Sequence, residues 1–278
     1  MNVLEFTLLV GFSSLTAGFL GALTGLGGGV VLVPLLTLVF GVDIRYAIGA
    51  SLVSVIATSS GAASAYVKEG YTNLRLGMFL EVATTFGAIA GASIAAYTPT
   101  RVLAVVFGIV LLYSSYLSHQ PRSEHLNNTS SDPLATRLKL NSTYPTPEGE
   151  QPYNVHSVPP GFGLMFVAGV LSGLLGIGSG ALKVLAMDQL MRIPFKVSTT
   201  TSNFMIGVTA AASAGVYLKR GYIDPGLAMP VMLGVLFGAL LGAKVLVRAR
   251  VEVLRTIFSL VILALAIQMI YNGIIGRI

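Results

Sequence analysis

Two glycine-dense stretches interrupt long apolar runs of the chain: GALTGLGGGVVLVP from Gly21 to Pro34, and GLLGIGSGALKVL from Gly173 to Leu185. Glycine at this density weakens a helix, and the helical piece that follows begins with backbone N–H groups that lack intrahelical partners. Because these groups carry the positive end of the helix dipole, an anion is the expected ligand. The alternative is a tight packing kink. The candidate anion-binding residues are Gly27, Gly28, Gly29, Gly178, Ser179 and Gly180.

Polar side chains follow each glycine break within an otherwise apolar segment. The sequence reads GASLVSVIATSS after the first break and KVSTTTSNFMIGVT after the second. Hydroxyl and amide groups suit the oxygens of an anion without the cost of burying several charges, and some of these groups are expected to bond to their own helix backbone. The candidates for substrate binding are Ser51, Thr201, Ser202 and Asn203.

Two ionisable residues, Lys183 and Glu81, lie inside apolar segments. Lys183 is one turn beyond Gly180, whereas Leu32 occupies the equivalent place after the first break. A lone ammonium there would offset the charge of a bound anion and, if it had lost its proton in the empty site, would regain one on binding. The alternative is a side chain that snorkels to the interface. Glu81 is a second candidate for a coupling proton, unless it lies near a helix end in contact with solvent.

The composition is that of a polytopic membrane protein. Of 278 residues, 54% are hydrophobic and 10% charged, and the mean hydropathy is +0.81, more than a soluble domain could bury. The absence of cysteine excludes disulfides, thiol nucleophiles and Cys-ligated metal sites. The net charge of +6 is scattered through short loops, which argues against nucleic acid as a partner. No metal or cofactor is predicted; the expected partners are an anion, the lipid bilayer and a coupling proton.

The two halves of the chain are copies of each other. An offset of 151 residues aligns Ala17–Ala92 with Ala168–Ala243 without a gap, which indicates an internal duplication. Within the aligned region FGAIAGA at 86–92 falls on FGALLGA at 237–243. The GxxxG spacing of these glycines predicts close helix packing.

The copies are separated by a segment of different composition. The predicted organisation is a first membrane repeat at 1–117, a polar linker at 118–160 and a second membrane repeat at 161–278. The linker is rich in Pro, Ser, Asn and Thr, and it is predicted to be solvated because nothing in it could build a core. It contains all three histidines of the chain, namely His119, His125 and His156.

The glycine breaks also bear on the membrane topology. The first apolar segment, 3–40, has 38 residues and would span roughly 57 Å as a single helix, against a hydrocarbon core of about 30 Å. If each broken segment crosses the membrane once, the Lys and Arg residues other than Lys183 split evenly between the two sides of the membrane. Hairpins instead give a split of eleven to five. The positive-inside bias favours hairpins, with the linker on the cytoplasmic side.

Hairpins give each half five membrane elements, an odd number, so that the two copies face opposite ways. The predicted fold is therefore an all-α polytopic membrane protein with two homologous halves arranged as inverted repeats. Each half would contain one glycine-broken helix hairpin and about three transmembrane helices. Inverted repeats with broken helices are typical of secondary transporters, in which the binding site lies where the breaks meet near mid-membrane.

The two breaks, read as LTGLGGGVVLVPLL and as GLLGIGSGALKVLAM with IPFKVSTTTSNF downstream, resemble the sulfite exporter TauE/SafE family of membrane permeases. The pattern that carries the resemblance is the duplicated break followed by Thr201-Ser202-Asn203, and it covers nearly the whole chain apart from the linker. The first half departs from this pattern, with Ala50-Ser51-Leu52 at the matching place. The resemblance implies a multi-pass cell-membrane transporter of small sulfur-containing anions, such as sulfite, thiosulfate or the organosulfonate sulfoacetate, in either direction.

Two other functions remain open at this point. Ser179, between two glycines, could be the nucleophile of an intramembrane hydrolase, but Lys183 is the only nearby base and the first break would then have no purpose. A passive anion channel is the closer rival, because donors that line a pore serve both uses. The sequence makes no prediction of the oligomeric state.

Overall fold

The structure of the chain is a computed structural model that describes residues 2–24, 28–68, 70–118, 131–146, 149–246 and 251–278. It is mostly helical. Four helices are long and apolar enough to cross a membrane, and several shorter apolar helices accompany them, so the chain is a multi-pass membrane protein. The helices of the first half are α1 (Val3–Thr24), α2 (Gly29–Leu38), α3 (Ile44–Lys68), α4 (Leu74–Ala95) and α5 (Thr100–Ser118).

The second half repeats this order after a folded linker. The linker contains α6 (Pro133–Arg137) and an antiparallel hairpin of β1 (Ser142–Thr146) and β2 (Gly149–Tyr153). The helices that follow are α7 (Val158–Leu175), α8 (Gly180–Leu185) continued by a π-helical turn at Ala186–Leu190, α9 (Phe195–Lys219), α10 (Pro225–Leu246) and α11 (Val251–Ile275). The 151-residue offset relates the first residues of α2 and α8, of α3 and α9, of α4 and α10, and of α5 and α11.

Each broken segment folds back on itself. In the first half the Phe6 ring, near the start of α1, lies 5.9 Å from the Phe40 ring, just past the end of α2. In the second half Gly161, near the start of α7, packs against Met191, which follows the π-helical turn. The start of one piece and the end of the next therefore lie together, so each pair is a hairpin whose tip is the glycine break.

The first helix of each hairpin packs against the other half. Gly18 of α1 lies against the backbone of Val235 in α10, and Gly238 lies against Leu15. The equivalent contacts join α7 to α4, where Gly173 lies against the Ala88 backbone. A Cβ on any of these three glycines would overlap a backbone atom of the facing helix, so only glycine allows the helices to approach this closely. The helix packing predicted from the GxxxG spacing is confirmed at Gly87, Gly91 and Gly238.

Two pairs of equivalent helices meet along the middle of the molecule. α3 and α9 are antiparallel, because Gly49 near the start of α3 contacts Tyr222 beyond the end of α9, while Ser59 contacts Gly207. α5 and α11 are antiparallel in the same way, with Gly276 beside Arg101 and Ser115 donating a hydrogen bond to the Ser259 carbonyl. Each of these pairs therefore joins equivalent helices of the two halves in opposite directions.

The linker corrects two predictions, since the described part of the chain is not all-α and residues 131–157 are not a solvated spacer. Four linker residues are buried in one core cluster with ends of the membrane helices: Ala135, Leu140, Tyr153 and Val155. The Asn73 side chain, which caps α4, also donates to the Leu140 carbonyl and to the Tyr153 hydroxyl. Burial raises the pKa of the Tyr153 phenol to about 12, so it stays protonated. The segment needs no hydrophobic core of its own, because its apolar side chains pack against those of the membrane helices. His119 and His125 lie outside the described residues.

The glycine seams give a stability prediction. Gly173→Ala places a methyl group against the Ala88 backbone and forces α7 away from α4, which should lower the free energy of unfolding by about 1–3 kcal/mol. Gly163, on the same helix, is exposed and has open space around it, so Gly163→Ala is the matched control and should be neutral or slightly stabilising. Thermal unfolding in detergent measures both, and equal melting temperatures would contradict close packing at Gly173.

Candidate functional site

The second glycine break is a turn built from left-handed residues. Gly176 ends α7 with φ 68°, and its N–H bonds to the Ser172 carbonyl. Gly178 follows with φ 70°, and Ser179 adopts φ 47° directly before α8. A left-handed serine costs roughly 1–3 kcal/mol, and such strained residues cluster at functional sites. The backbone strain of this turn therefore lies at Ser179, because glycine adopts the left-handed region without a steric cost.

The first break is described from Gly28 onward, and Gly27 lies outside the described residues. Gly28 packs against Gly18 and Val235, so it lies in the seam between α1 and α10. Gly29 begins α2 and is buried between Ser51 and Gly176. A Cβ on Gly29 would lie 2.6 Å from Ser51 Oγ and 3.1 Å from the Gly176 carbonyl oxygen. The start of α2 is thus in contact with the second break.

The two breaks meet through equivalent serines. Ser51 Oγ donates a hydrogen bond of 2.8 Å to the Gly176 carbonyl of the opposite half. Ser202, its counterpart at the 151-residue offset, donates one of 3.3 Å to the Gly180 carbonyl. Each serine supplies a donor to a carbonyl at the second break, as a broken helix away from water requires. Gly178 fits between Val55 and Ile206, which are also counterparts.

A small cavity lies beside the second break. Ser179 and Gly180 line it together with Val30 of α2 and Ser114 of α5; the other lining residues are Val110, Ile177 and Leu182. Ser179 is 3% exposed, and its Oγ has no hydrogen-bond partner among the described residues. A buried hydroxyl without a partner costs about 1–3 kcal/mol, and Ser179 Oγ is available for a hydrogen bond with a group in the cavity.

A buried polar network lies one helical turn further along α8. Lys183 is fully buried, and its Nζ donates a hydrogen bond to Thr209 Oγ1 of α9. Thr209 Oγ1 is in turn 2.7 Å from Glu81 Oε1 of α4, and Lys183 Nζ lies 4.0 Å from Glu81 Oε2. Thr85 also donates to Glu81 Oε1, at 3.2 Å. Two opposite charges are therefore held together in the interior by a bridging hydroxyl.

This network bears on four interpretations that the sequence left open. Lys183 is not a lone ammonium, because Glu81 compensates its charge. It does not snorkel, since none of its side chain is exposed, and Glu81 is 7% exposed rather than in contact with solvent. The Nζ hydrogen bond goes to Thr209 and not to Ser179, so the geometry does not form the Ser–Lys dyad that a hydrolase would need.

Of the predicted binding residues that the structure describes, Ser179 and Gly180 line the cavity and the others do not. Thr201 Oγ1 accepts a hydrogen bond from the Asn73 backbone N–H at the start of α4, so it connects α9 to the linker cluster. Asn203 is half-buried one residue beyond Ser202. The sequence analysis did not select Thr209, which bridges Lys183 and Glu81, or Ser114, which lines the cavity. Thr209 carried a signal, because it aligns with Thr58 in the repeat, whereas nothing in the sequence of α5 distinguished Ser114.

A cation–aromatic contact lies at each end of the α3–α9 pair. Arg45 lies 5.8 Å from the centre of the Tyr222 ring at one end, and Lys196 lies 5.7 Å from the centre of the Tyr71 ring at the other. The two pairs are counterparts at the 151-residue offset. The break region between them is enclosed, with α3 and α9 running from one contact to the other. Among the described residues no group of three or more His, Asp or Glu could hold a metal ion.

Comparison with known proteins gives one family. The sequence model described as "Sulfite exporter TauE/SafE" matches residues 10–269. The probable membrane transporter protein YunE of Bacillus subtilis is 29% identical over 98% of this chain and 99% of its own length. YdhB of the same organism, also named a probable membrane transporter protein, is 26% identical over 82% and 83%, and one from Xylella fastidiosa is 26% identical over 98% of each chain. No solved structure gives a significant match.

The charge pair gives a prediction for unfolding. Lys183→Met leaves the Glu81 carboxylate buried without its counter-charge, which should lower the free energy of unfolding by about 3–5 kcal/mol. Glu81→Gln combined with Lys183→Met removes both charges and should restore most of that loss. Chemical unfolding in mixed micelles measures the single and double variants. Equal loss in the double variant and in Lys183→Met would show that the two side chains do not interact.

Proposed function

The chain belongs to the sulfite exporter TauE/SafE family, and we propose that it is a secondary transporter of small sulfur-containing anions. Sulfite, thiosulfate and organosulfonates such as sulfoacetate are the substrates proposed. The observation that carries the proposal is the unpartnered Ser179 hydroxyl, which lines a cavity at the meeting point of the two breaks. A buried donor at that point, one turn from an ammonium, suits an oxyanion.

The proposed binding groups come from both halves. The first turns of α2 and α8 begin at Gly29 and Gly180, so their unpaired N–H groups and helix dipoles favour a negative charge between them. Ser179 and Ser202 add hydroxyls, and Lys183 is a full positive charge one turn away. Several donors with a single cation stabilise one small anion without holding it too tightly to be released.

The proposed membrane arrangement is an inverted repeat. α3 and its counterpart α9 pair antiparallel, as do α5 and α11, so the proposed pseudo-two-fold axis is perpendicular to the helices. Helices that cross a bilayer stand roughly along its normal, so that axis would lie in the membrane plane. The same arrangement makes each half present its break from an opposite side, and it supports alternating access to the enclosed site. A coupling proton is part of the proposal, with Glu81 and Lys183 as the groups concerned.

The orientation can be tested by labelling, because the natural chain has no cysteine. Glu150→Cys lies exposed in the linker hairpin, and Lys219→Cys lies exposed at the opposite end of the bundle, where α9 ends. The eleven-to-five charge split predicts that an impermeant thiol reagent added to intact cells labels Lys219→Cys and spares Glu150→Cys. Labelling of the linker position from outside would contradict the orientation.

The anion site can be tested at Ser179. Ser179→Gly adopts the left-handed backbone without strain and removes the whole hydroxymethyl side chain, which makes the position match Gly28 of the first break. Binding of sulfite should weaken by about tenfold or more, the value of a hydrogen bond to a charged group. Ser172→Ala is the control, because its hydroxyl is also buried without a partner among the described residues but does not line the cavity.

The same variants serve in a flux assay that compares sulfite, thiosulfate, sulfoacetate, sulfate and chloride in liposomes. A transporter should show saturable flux of the sulfur anions that falls in Ser179→Gly and is unchanged in Ser172→Ala. Channel-like conductance in planar bilayers would favour the passive channel instead. Unchanged sulfite affinity in Ser179→Gly would show that the break is a packing feature.

A further inference from the structure

Glu81 is the second buried charge beside the proposed anion site, and its contacts suggest how the site exchanges charge. Resting on the proposed function, we propose that Glu81 is the internal counter-ion of Lys183. The transported anion replaces it there, and Glu81 takes up one proton as the anion binds. Lys183 keeps its proton throughout. The site would therefore carry one anion together with one proton, and among the proposed substrates it would favour hydrogensulfite, the singly charged form of sulfite, over thiosulfate and sulfoacetate, which carry two charges.

The contact between the two charges is suited to exchange. Lys183 Nζ and Glu81 Oε2 are 4.0 Å apart, which is too long for a hydrogen bond. Glu81 Oε2 has no hydrogen-bond partner among the described residues, although it is buried. The link between the charges runs through Thr209 Oγ1, which accepts from Lys183 and lies 2.7 Å from Glu81 Oε1. An arriving anion can thus take the place of Glu81 without breaking a direct hydrogen bond between the pair.

Thr209 has an alternative once Glu81 is neutral. Its hydroxyl lies 3.0 Å from the Met205 carbonyl of its own helix, so its proton can turn there. The Thr209 oxygen, 2.7 Å from Glu81 Oε1, can then accept a hydrogen bond from a protonated Glu81 carboxyl group. The network therefore offers Glu81 Oε1 a hydrogen-bond partner in both protonation states.

The charges of the exchange balance. In the empty site the ammonium and the carboxylate sum to zero. A singly charged anion adds one negative charge in a medium of low dielectric, which is costly. One proton from solution forms an O–H bond on the Glu81 carboxylate and returns the total to zero. A doubly charged anion would leave the site negative even after that step, so divalent anions should bind more weakly.

The internal repeat shows that the fold does not need these charges. Leu32 stands at the position equivalent to Lys183, and Met232 at the position equivalent to Glu81. Thr58, the counterpart of Thr209, donates only to carbonyls of its own helix, those of Ser54 and Val55. Both charged residues are thus present at one pair of positions, and both are replaced by apolar residues at the equivalent pair.

Few other ionisable groups face the pair. α7, which packs against α4, carries none. α9 carries Lys196, Tyr217 and Lys219 towards its ends, roughly 20, 12 and 15 Å along the helix from Thr209. Arg75 of α4 is roughly 9 Å along the helix from Glu81. The carboxylate on the segment that continues α8 is Asp188 in the π-helical turn, five residues after Lys183 and 8% exposed, so it is the control for a buried carboxyl signal.

Infrared difference spectroscopy of the purified protein, with sulfite as the probe, tests the proposal. Addition of sulfite to the wild-type protein should produce the C=O band of a protonated carboxyl group. Glu81→Gln keeps the volume and hydrogen-bonding capacity of the side chain but leaves the buried Lys183 ammonium without its counter-charge. Its melting temperature is therefore measured with and without sulfite, and sulfite should stabilise the variant more than it stabilises the wild type. The variant should bind sulfite roughly tenfold more tightly, because the competing carboxylate is gone, and it should show no band. Asp188→Asn should retain the band.

Each result has a distinct meaning. A band that persists in Glu81→Gln, or is lost in Asp188→Asn instead, would overturn the role of Glu81 and leave anion transport standing. Weaker sulfite binding in Glu81→Gln would overturn its role as a competing counter-ion. Absence of sulfite binding by the wild-type protein would overturn the proposed substrate and the inference with it. In a parallel titration below the second pKa of sulfite, where singly charged hydrogensulfite predominates, sulfate should bind wild type more weakly than sulfite; equal affinity would contradict the preference for a single charge.

Discussion

A helix that is interrupted inside a membrane leaves backbone groups without partners where no water can supply them, and the rest of this structure follows from that constraint. Two interruptions placed against each other relieve part of it. Ser51 of one half bonds to the Gly176 carbonyl of the other, and Gly29 can lie beside both because it has no side chain. Neither break would be equally well satisfied alone. The meeting of the hairpins is therefore a condition for folding as well as the origin of a site.

The same constraint explains why each hairpin packs across the molecule. The tip of a hairpin reaches the centre only if its first helix is held firmly, and the close seams of α1 with α10 and of α7 with α4 provide this. Glycine on one helix brings the facing backbone into direct contact, which is the strongest packing available when lipid competes for apolar surface. α3 and α9 then run between the two hairpins, and a cation–aromatic contact lies at each end of that pair.

Much of this architecture could be predicted from the sequence, because duplication and glycine spacing are local patterns. The helix seams follow from the glycine spacing and the meeting of the breaks from the duplication, whereas the hairpins were predicted from the distribution of Lys and Arg residues. The Lys183–Glu81 contact could not be predicted in this way, since it joins residues of different halves through Thr209. The fold of residues 131–157 was missed for another reason. Its composition is polar, and the four apolar side chains that anchor it are buried by residues such as Leu76 and Met191 far away in sequence.

A buried ion pair is weak evidence for stability, because well-packed apolar residues of similar size often serve as well or better. This chain contains that comparison within itself. At the equivalent place in the first half, Leu32 is fully buried, and the hairpin that carries it closes in the same manner as the hairpin that carries Lys183. The charges are thus not required to build the fold, and their cost in a medium of low dielectric needs another justification. The proposed charge exchange would provide one. It needs an ammonium, Lys183, that can hold the anion, and a carboxylate, Glu81, that can take up a proton as the anion binds.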